Sequence, residues 1–533
     1  METRYPPRTL PEGATVTRFS PSPTGFLHLG GLFGVLTDQL MAQRSGGVYY
    51  IRMEDTDKKR EVANGVRGLV DDLAAYGLLP QEGVTGAETE AGAYGPYTQS
   101  KRAEIYHAFA KRLVEEGKAY PCFCTAEELD AQRETQAAEG ANKGYYGAWA
   151  RCRDLPPAEQ LRRLAAGEPH TLRLRSPGEE GRKFTVTDQI KGKLELTENT
   201  MDVVLLKANG IPTYHFAHAV DDHLMRTTHV VRGDEWIASL PLHVQLFAQL
   251  GFTLPKYCHT PTLMKEEDGS KRKISKRKDP EAAVRWFVEQ GYPGESVLEY
   301  LLTLMNSNFE DWRRANPAAA QGEFPFSLKK MSVSGALFDL VKLEDVSKNV
   351  ISRMAAEDVF AGALAWAKAY DPTLAELLGG DRSAAIAMFS IDRGGKKPRK
   401  DLARWNQVRD TYAYFYDALY RPDFALPEGI APTDAAALLE DYLAVYDAQD
   451  DKDAWFAKIK GICAAQGFCP DVKAYKADPA SWKGHVGDVS TVIRLAVTSR
   501  LNTPDLWAVM RVTGAERVRG RIEAARRAYA AQK

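Results

Sequence analysis

The sequence predicts a multidomain α/β protein in which a parallel-sheet domain is split by an α+β insertion and followed by an all-α part. The chain has 533 residues, more than one hydrophobic core accommodates. Strand and helix signals alternate up to residue 118 and again from residue 203, whereas the residues between have a different pattern. Beyond Gly291 strand signals largely vanish and Ala-rich helical patterns run to the end.

The amino-terminal elements form a βα unit that opens the sheet. In order, the sequence predicts a strand over 15–20, a turn over 21–25, an apolar helix over 30–44, a strand over 48–53, and helices over 66–76 and 100–116. We expect Ser100 to cap the last of these helices and Gly117 to end it.

The insertion and the second half of the sheet follow. Short alternating segments predict strands over 171–174 and 183–187 within the insertion. Strands are predicted again over 203–207 and 228–232, followed by a helix over 237–250. Proline-containing breaks near Asn316 and over 422–432 interrupt the later helices.

Composition limits the classes of function. Lysine and arginine number 70 against 71 aspartates and glutamates, so a nucleic-acid partner would be held by local basic patches. Six cysteines and no charged-then-apolar leader favour a reducing cytoplasm over a secreted disulfide scaffold. No run of about 18 apolar residues predicts a membrane span.

A nucleotide site is predicted where the first strand meets the first helix. His28-Leu29-Gly30-Gly31 places two glycines at a helix amino terminus, where backbone amides favour a phosphate and His28 can donate to one of its oxygens. Taken alone the motif is weak, because the glycines can serve only a tight turn and His28 only a backbone carbonyl.

Residues 265–278 form the second candidate segment. They carry seven basic residues against three acidic ones, which predicts a mobile cationic loop suited to a triphosphate. By itself such a run is more often a solvated or nucleic-acid-facing surface.

Together these motifs resemble the two signatures of class I aminoacyl-tRNA synthetases, the second being Lys273-Ile274-Ser275-Lys276-Arg277. Four further segments resemble the bacterial glutamyl-tRNA synthetases. They are Arg18-Phe19-Ser20-Pro21-Ser22-Pro23-Thr24-Gly25, Arg52-Met53-Glu54-Asp55-Thr56-Asp57, Gly95-Pro96-Tyr97-Thr98-Gln99-Ser100 and Val220-Asp221-Asp222-His223. The resemblance covers residues 15–345 and is loose beyond them.

The resemblance implies five parts. They are a Rossmann-type catalytic domain in two halves (1–118 and 203–260), an acceptor-end insertion (119–202), a signature-loop and stem-contact region (261–345) and an all-α anticodon-binding region (346–533). It further implies a cytoplasmic, monomeric ligase acting on ATP, L-glutamate and tRNA(Glu).

The resemblance also assigns site residues. Arg18 and Arg232 would meet the side-chain carboxylate of glutamate, since guanidinium groups suit carboxylates, and Glu54 would meet its ammonium group. Ser20, Ser22 and Tyr214 complete the amino-acid pocket, while His218 occupies a position that varies among relatives. Without the resemblance, each arginine would be interpreted as part of a surface ion pair, and Tyr214 as a core residue.

The implied reaction is attack by the α-carboxylate of glutamate on the α-phosphorus of ATP, then transfer to the terminal adenosine of tRNA. It requires positioning and charge stabilisation and no covalent enzyme intermediate. His28, Lys273 and Lys276 would act on the phosphates with Mg²⁺. The ATP contacts implied are Thr24, His28, Gly30, Gly31, Arg60, Glu235, Lys273 and Lys276.

Cys122, Cys124 and Cys152 resemble a zinc site of some relatives, with Tyr146 or Asp154 as the fourth ligand. The alternative is reduced structural cysteines. In the helical part, Lys396, Lys397, Arg399 and Lys400, with Arg404, Trp405, Tyr412, Tyr414 and Phe415 nearby, suggest phosphate contacts and base stacking. The alternative there is a solvated helix end.

Several related functions compete. A glutaminyl enzyme would lack a counterpart of Arg232, and a glutamyl-queuosine synthetase would lack the helical part. An inactive tRNA-binding paralogue would have lost His28, Lys276 or a pocket arginine, all of which are present. A non-discriminating enzyme that also charges tRNA(Gln) stays open.

Overall fold

The structure is a computed structural model that describes residues 2–57, 62–275, 277–395 and 397–532. Contacts divide the chain into two units, one of Met1–Val288 with Leu298–Leu340 and one of Glu289–Val297 with Val341–Lys533. The first unit is mixed α/β and the second is helical, so the predicted fold class is confirmed. Among the described residues no helix is both long and apolar enough to cross a lipid bilayer.

The regular elements are numbered in chain order. The strands are β1 (Val16–Phe19), β2 (Val48–Ile51), β3 (Glu82–Val84), β4 (Glu90–Ala91), β5 (Ala119–Cys122), β6 (Thr171–Leu174), β7 (Lys183–Asp188), β8 (Gly192–Thr197), β9 (Val204–Leu206), β10 (His229–Gly233), β11 (Lys256–Thr260), β12 (Leu263–Glu267), β13 (Ser270–Lys273) and β14 (Ala336–Leu337). The helices up to residue 340 begin with α1 (Leu29–Ser45), α2 (Gly65–Ala75), α3 (Ala103–Glu115), α4 (Ala126–Ala138), α5 (Pro157–Ala165), α6 (Tyr214–Leu224), α7 (Leu240–Leu250), α8 (Val284–Gln290), α9 (Gly294–Met305) and α10 (Phe309–Ala315). The later helices are α11 (Leu340–Arg353), α12 (Ala356–Tyr370), α13 (Pro372–Gly380), α14 (Arg382–Ser390), α15 (Val408–Thr411), α16 (Pro432–Val445), α17 (Lys452–Gln466), α18 (Val472–Ala477), α19 (Val486–Thr498), α20 (Leu506–Thr513) and α21 (Ala515–Ala530).

Parallel strands from both halves of the split domain lie side by side. Strand β1 pairs in parallel with β2, β2 with β3, and β10 with β11. The Thr228 amide donates to the Val16 carbonyl at 2.9 Å, which brings β10 alongside β1. The carboxyl ends of β1 and β10 therefore meet at one edge, where parallel α/β sheets bind ligands.

The insertion forms its own antiparallel structure. Strands β5, β6 and β9 make one small sheet, and β7 and β8 make a hairpin. This is the α+β insertion that the sequence predicts. The strand predicted over 203–207 as part of the parallel sheet is β9, which instead pairs antiparallel with β6 of the insertion. The finer five-part division stays a prediction.

Two local predictions are wrong. Ser100 does not cap α3, because its hydroxyl hydrogen-bonds the Asp55 carboxylate at 2.5 Å and α3 begins only at Ala103. Residues 265–278 are not simply a loop, since β12 and β13 pair as an antiparallel hairpin. Asp268 and Gly269 both have positive φ at its turn, which is the conformation an Asp-Gly pair favours. Gly117, with φ of 70°, does end α3 as predicted.

The helical unit has two apolar cores. One is built on α12 to α14 and includes Val359, Leu378 and Met388. The other joins α16, α17, α19 and α21 through residues such as Leu438 and Val492.

Candidate active site

A cavity of about 880 Å³ opens at the carboxyl ends of β1 and β10, within the size range of ligand pockets. It brings together most of the predicted site residues, namely Arg18, Ser20, Ser22, His28, Gly30, Gly31, Glu54, Tyr214, Arg232, Glu235 and Lys273. Thr24 lies exposed in the preceding turn, where its amide donates to the Ser22 carbonyl at 2.8 Å. Arg60 and Lys276 lie outside the described residues.

The amino terminus of α1 forms one wall of the cavity. His28 caps the helix, its Nδ1 accepting from the Gly30 amide at 3.0 Å. A Cβ on Gly31 would lie 2.9 Å from the Leu27 side chain, so glycine there lets the turn close on the helix. The 17-residue helix thus presents its amino terminus, which favours an anion, to the cavity.

Arg18 enters the cavity from the end of β1, and its charge is shared with a carboxylate. Its Nε donates to the two Asp222 carboxylate oxygens at 3.3 and 3.2 Å. Asp222 also accepts from Arg52 at 2.5 Å, and Arg52 is fully buried. These two arginines hold the pKa of the Asp222 carboxyl well below its usual range despite the burial that raises it.

Arg232, at the end of β10, is held differently. Its Nε donates to His259 Nε2 at 3.0 Å and its NH1 to His243 Nδ1 at 2.9 Å. Burial lowers the pKa of both histidines, so both are neutral near pH 7. Among the described residues no carboxylate pairs with Arg232, although only 8% of its surface is exposed.

Glu54 follows β2 and is buried beside Arg52, at 3.1 Å. Burial raises the pKa of the Glu54 carboxyl to about 7, against the opposing effect of the arginines. Ser20 contributes a buried hydroxyl that has no hydrogen-bond partner among the described residues. Both groups face the cavity and are suited to a polar ligand.

Aromatic rings close the other side of the cavity. The Tyr214 ring lies 4.8 Å from Trp236 and stacks on His218 at 5.9 Å, measured between centroids. His218 is fully buried, with Nδ1 2.9 Å from Asp222 and Nε2 3.2 Å from the Tyr257 hydroxyl. It therefore supports the pocket from behind.

Sequence reasoning missed the residues that support the arginines, which are Arg52, Asp188, Asp222, His243 and His259. Two of them stand in motifs quoted above, but as parts of a resemblance and without roles. Their signal is chemical: they are ionisable residues inside apolar strand and helix patterns, where a polar or charged group needs a hydrogen-bond or ion-pair partner.

The three cysteines cluster as predicted, but the fourth group is not Tyr146. The sulfur atoms of Cys122, Cys124 and Cys152 lie within 4.8 Å of one another. The Tyr145 hydroxyl lies 3.4 and 3.3 Å from the first two sulfurs, whereas the Tyr146 hydroxyl donates to the Asn142 carbonyl at 2.7 Å. Asp154, the other candidate, is 83% exposed and pairs with Arg175 at 2.9 Å. This cluster can hold a metal ion.

Among the described residues of the basic run in the helical unit, two lysines are exposed, and the aromatic residues near the run are buried. Lys397 and Lys400 are exposed, whereas Arg399 pairs with Asp401 at 2.7 Å. The nearby aromatic residues are buried in a core, so the predicted base stacking on them is wrong; they are Trp405, Tyr412, Tyr414 and Phe415. Lys396 lies outside the described residues.

A second cavity in the helical unit, of about 290 Å³, has one partly exposed aromatic ring, that of Trp507, in its wall. It is lined by Tyr446 and Trp507, and the Arg511 guanidinium lies 5.0 Å from the Trp507 ring centroid. Sequence reasoning did not single out this place.

Comparisons with known proteins identify the family. Residues 14–333 match the family described as tRNA synthetases class I (E and Q), catalytic domain. The chain is 49% identical over 523 residues to the glutamate–tRNA ligase of Clostridium perfringens (strain 13), covering 97% of this chain and 96% of the relative. It is also 49% identical over 519 residues to that of Acetivibrio thermocellus, covering 97% and 95%.

A solved structure agrees as well. The crystal structure of a glutamate tRNA ligase from Elizabethkingia meningosepticum in complex with its amino acid superposes with a TM-score of 0.77 at 26% identity, covering 96% of this chain and 99% of that one. The chain belongs to the glutamate–tRNA ligase family of class I tRNA synthetases.

Proposed function

We propose that this protein is a glutamate–tRNA ligase that activates L-glutamate with ATP, releases diphosphate and transfers the glutamyl group to the terminal adenosine of tRNA(Glu). The observation that carries the proposal is Arg232, a buried cation that faces the cavity without a carboxylate partner among the described residues. A ligand carboxylate would supply the missing counter-charge.

The amino-acid group consists of Arg18, Glu54, Tyr214 and Arg232. Three protein acceptors take N–H groups of Arg232, and a guanidinium has five, so two are left for a ligand carboxylate. The Glu54 carboxylate is suited to the ammonium group. The serine hydroxyls of the cavity wall, Ser20 and Ser22, complete the polar contacts.

The nucleotide group consists of His28, Gly30, Glu235 and Lys273. The α1 amino terminus and Lys273 of β13 both line the cavity and can support a triphosphate. Mg²⁺ would arrive with the phosphates, since this ion takes few protein ligands, and the cavity wall offers the Asp57 and Glu235 carboxylates. Roles for Lys276, Arg60 and Thr24 rest on the resemblance.

Zinc is our proposal for the cysteine cluster, because three thiolates and one oxygen match its tetrahedral preference. Tyr145 would supply the oxygen. We expect about one zinc ion per chain by elemental analysis and loss of zinc on Cys124→Ser, with Cys258→Ser as the control. Zinc retained in the Cys124 variant would contradict the assignment.

For tRNA, Lys397 and Lys400 offer phosphate contacts and the Trp507 cavity offers stacking. Charging of tRNA(Gln) as well as tRNA(Glu) stays open, and labelled-glutamate charging of each purified tRNA decides it.

Replacing Arg232 tests the proposed function. Arg232→Ala should lower glutamate activation by about 30-fold to several thousand-fold, corresponding to about 2 to 5 kcal/mol for a desolvated charge pair. Glutamine, whose amide is neutral, should lose less. Pyrophosphate exchange in the presence of tRNA measures both, with the exposed Arg314→Ala as the control. Equal loss of both substrates would make Arg232 structural.

A further inference from the structure

Two hydrogen-bonded chains of side chains hold the Arg232 guanidinium, and one of them ends at His215, which lines the cavity. One runs from Arg232 through His259 to Asp188, and the other through His243 to His215. His243 and His259 are fully buried and lie outside the cavity wall. They contact Arg232 rather than a ligand.

Arginine sets the tautomer of both histidines. A guanidinium only donates, so His259 accepts on Nε2 and its Nδ1 carries the proton, which it donates to Asp188 at 2.7 Å. By the same argument His243 accepts on Nδ1 and donates from Nε2 to His215 at 2.9 Å. Each acceptor is neutral, so Arg232 is held without being neutralised.

Asp188 belongs to the insertion, at the end of β7. Its buried carboxylate also accepts from the amides of Ile190 and Lys191, at 2.9 and 2.7 Å, which shape the β7–β8 turn. From the same turn the Lys191 ammonium reaches Asp234 at 3.0 Å, two residues after Arg232. The turn of the insertion is thus tied to the segment that carries Arg232.

We propose that Asp188 and His259 are positioning residues for amino-acid recognition, through which the insertion sets the orientation of Arg232. A carboxylate in place of His259 would hold the guanidinium equally well but would cancel the charge that a substrate carboxylate needs. The inference rests on the proposed role of Arg232.

The test compares His259→Leu with His259→Gln. Leucine leaves the Arg232 Nε–H unsatisfied, so the KM for glutamate should rise by about ten- to a hundred-fold, the effect of an unsatisfied buried donor. The KM for ATP should change less than about threefold, and the preference for glutamate over glutamine should narrow. Glutamine can accept from Arg232 and donate to Asp188, so His259→Gln should restore the KM for glutamate to within about threefold of the wild type.

Controls separate positioning from folding and from the proposed function. His229→Leu alters a histidine on β10, the strand that carries Arg232. His229 hydrogen-bonds Thr228, and its replacement should leave the KM values for glutamate and ATP unchanged. In an Arg232→Ala background, His259→Leu should add nothing to the KM for glutamate, because its effect passes through Arg232.

Three outcomes test the proposed function of Arg232 and the positioning role of Asp188 and His259. If Arg232→Ala spares glutamate activation, the proposed function of Arg232 fails. If Arg232→Ala impairs it but the two effects add, or the KM for ATP rises as much as that for glutamate, the positioning role is wrong and the proposed function stands. If His259→Leu does not fold, Asp188→Asn provides the same test. An amide –NH₂ facing His259 Nδ1 favours the tautomer with the proton on Nε2, which cannot accept from Arg232. An unchanged KM for glutamate in Asp188→Asn would contradict the positioning role of Asp188 and His259.

Discussion

Within one cavity, the amino-acid group is buried and held by protein partners, whereas much of the nucleotide group is exposed. Arg18, Glu54 and Arg232 have at most 8% of their surface exposed, and each has a hydrogen bond to another buried side chain. Gly30, Glu235 and Lys273 are exposed. The side chains that would recognise a small charged substrate are therefore held in place by the fold, whereas the groups that would contact phosphates are open to solvent.

This difference implies a division of energetic roles. The buried charges of the amino-acid group are held by ion pairs or, at Arg232, by hydrogen bonds to neutral histidines, so a change in this group affects folding as well as binding. Exposed groups contribute little to stability and act mainly in the transition state.

The largest effect is expected from Asp222→Ala. This carboxylate pairs with Arg18 at 3.2 Å and Arg52 at 2.5 Å. Its removal leaves the buried Arg18 without its carboxylate partner and leaves Arg52 with Glu54 at 3.1 Å and Asp221 at 3.8 Å. We expect the free energy of unfolding of the unit that contains Asp222 to fall by about 3 to 5 kcal/mol, as measured by urea denaturation. The exposed Asp311→Ala is the matched control. A decrease of less than about 1 kcal/mol would show that the ion pairs of Asp222 with Arg18 and Arg52 do not stabilise the fold.

The next effect is expected from Lys276, which the resemblance assigns to the phosphates of ATP. Lys276 lies outside the described residues, so its role comes from the second signature alone. Lys276→Ala should slow single-turnover adenylate formation by about a hundred- to a thousand-fold, because a charge on the phosphates matters most in the transition state. The unfolding transition and the KM for glutamate should not move. A variant that unfolds more easily would break the contrast between the two groups.

Sequence patterns predicted what is local. The β1–α1 unit and the insertion follow from periodicity, and the resemblance, carried by motifs contiguous in the chain, gave the predicted residues that line the cavity. The partners of these residues could not be predicted this way, because Asp188 and His259 are 71 positions apart and meet only when the insertion packs on β11.

The errors have physical causes of the same kind. Tyr145 and Tyr146 are adjacent, and only the direction of each side chain decides which one faces the cysteines. The aromatic residues after the basic run read equally well as a stacking surface or as core, and tertiary packing makes them core. The β12–β13 hairpin is different, because its Asp268-Gly269 turn was readable in the sequence.

The smallest effect is the pH dependence of glutamate binding. The pKa of the buried Glu54 carboxyl is raised to about 7, so near neutral pH only part of the protein carries the charge that an ammonium group needs. The ionised fraction grows as pH rises through 7, while the ammonium group of free glutamate stays protonated. The KM for glutamate should therefore fall by about tenfold between pH 6 and pH 8, as expected for a single group titrating at the midpoint. Glu54→Gln should raise the KM and abolish its slope with pH. The KM for ATP should not change with pH in this way, because Glu54 belongs to the amino-acid group and not to the nucleotide group. If the two KM values change with pH together, the two groups are coupled through the buried arginines.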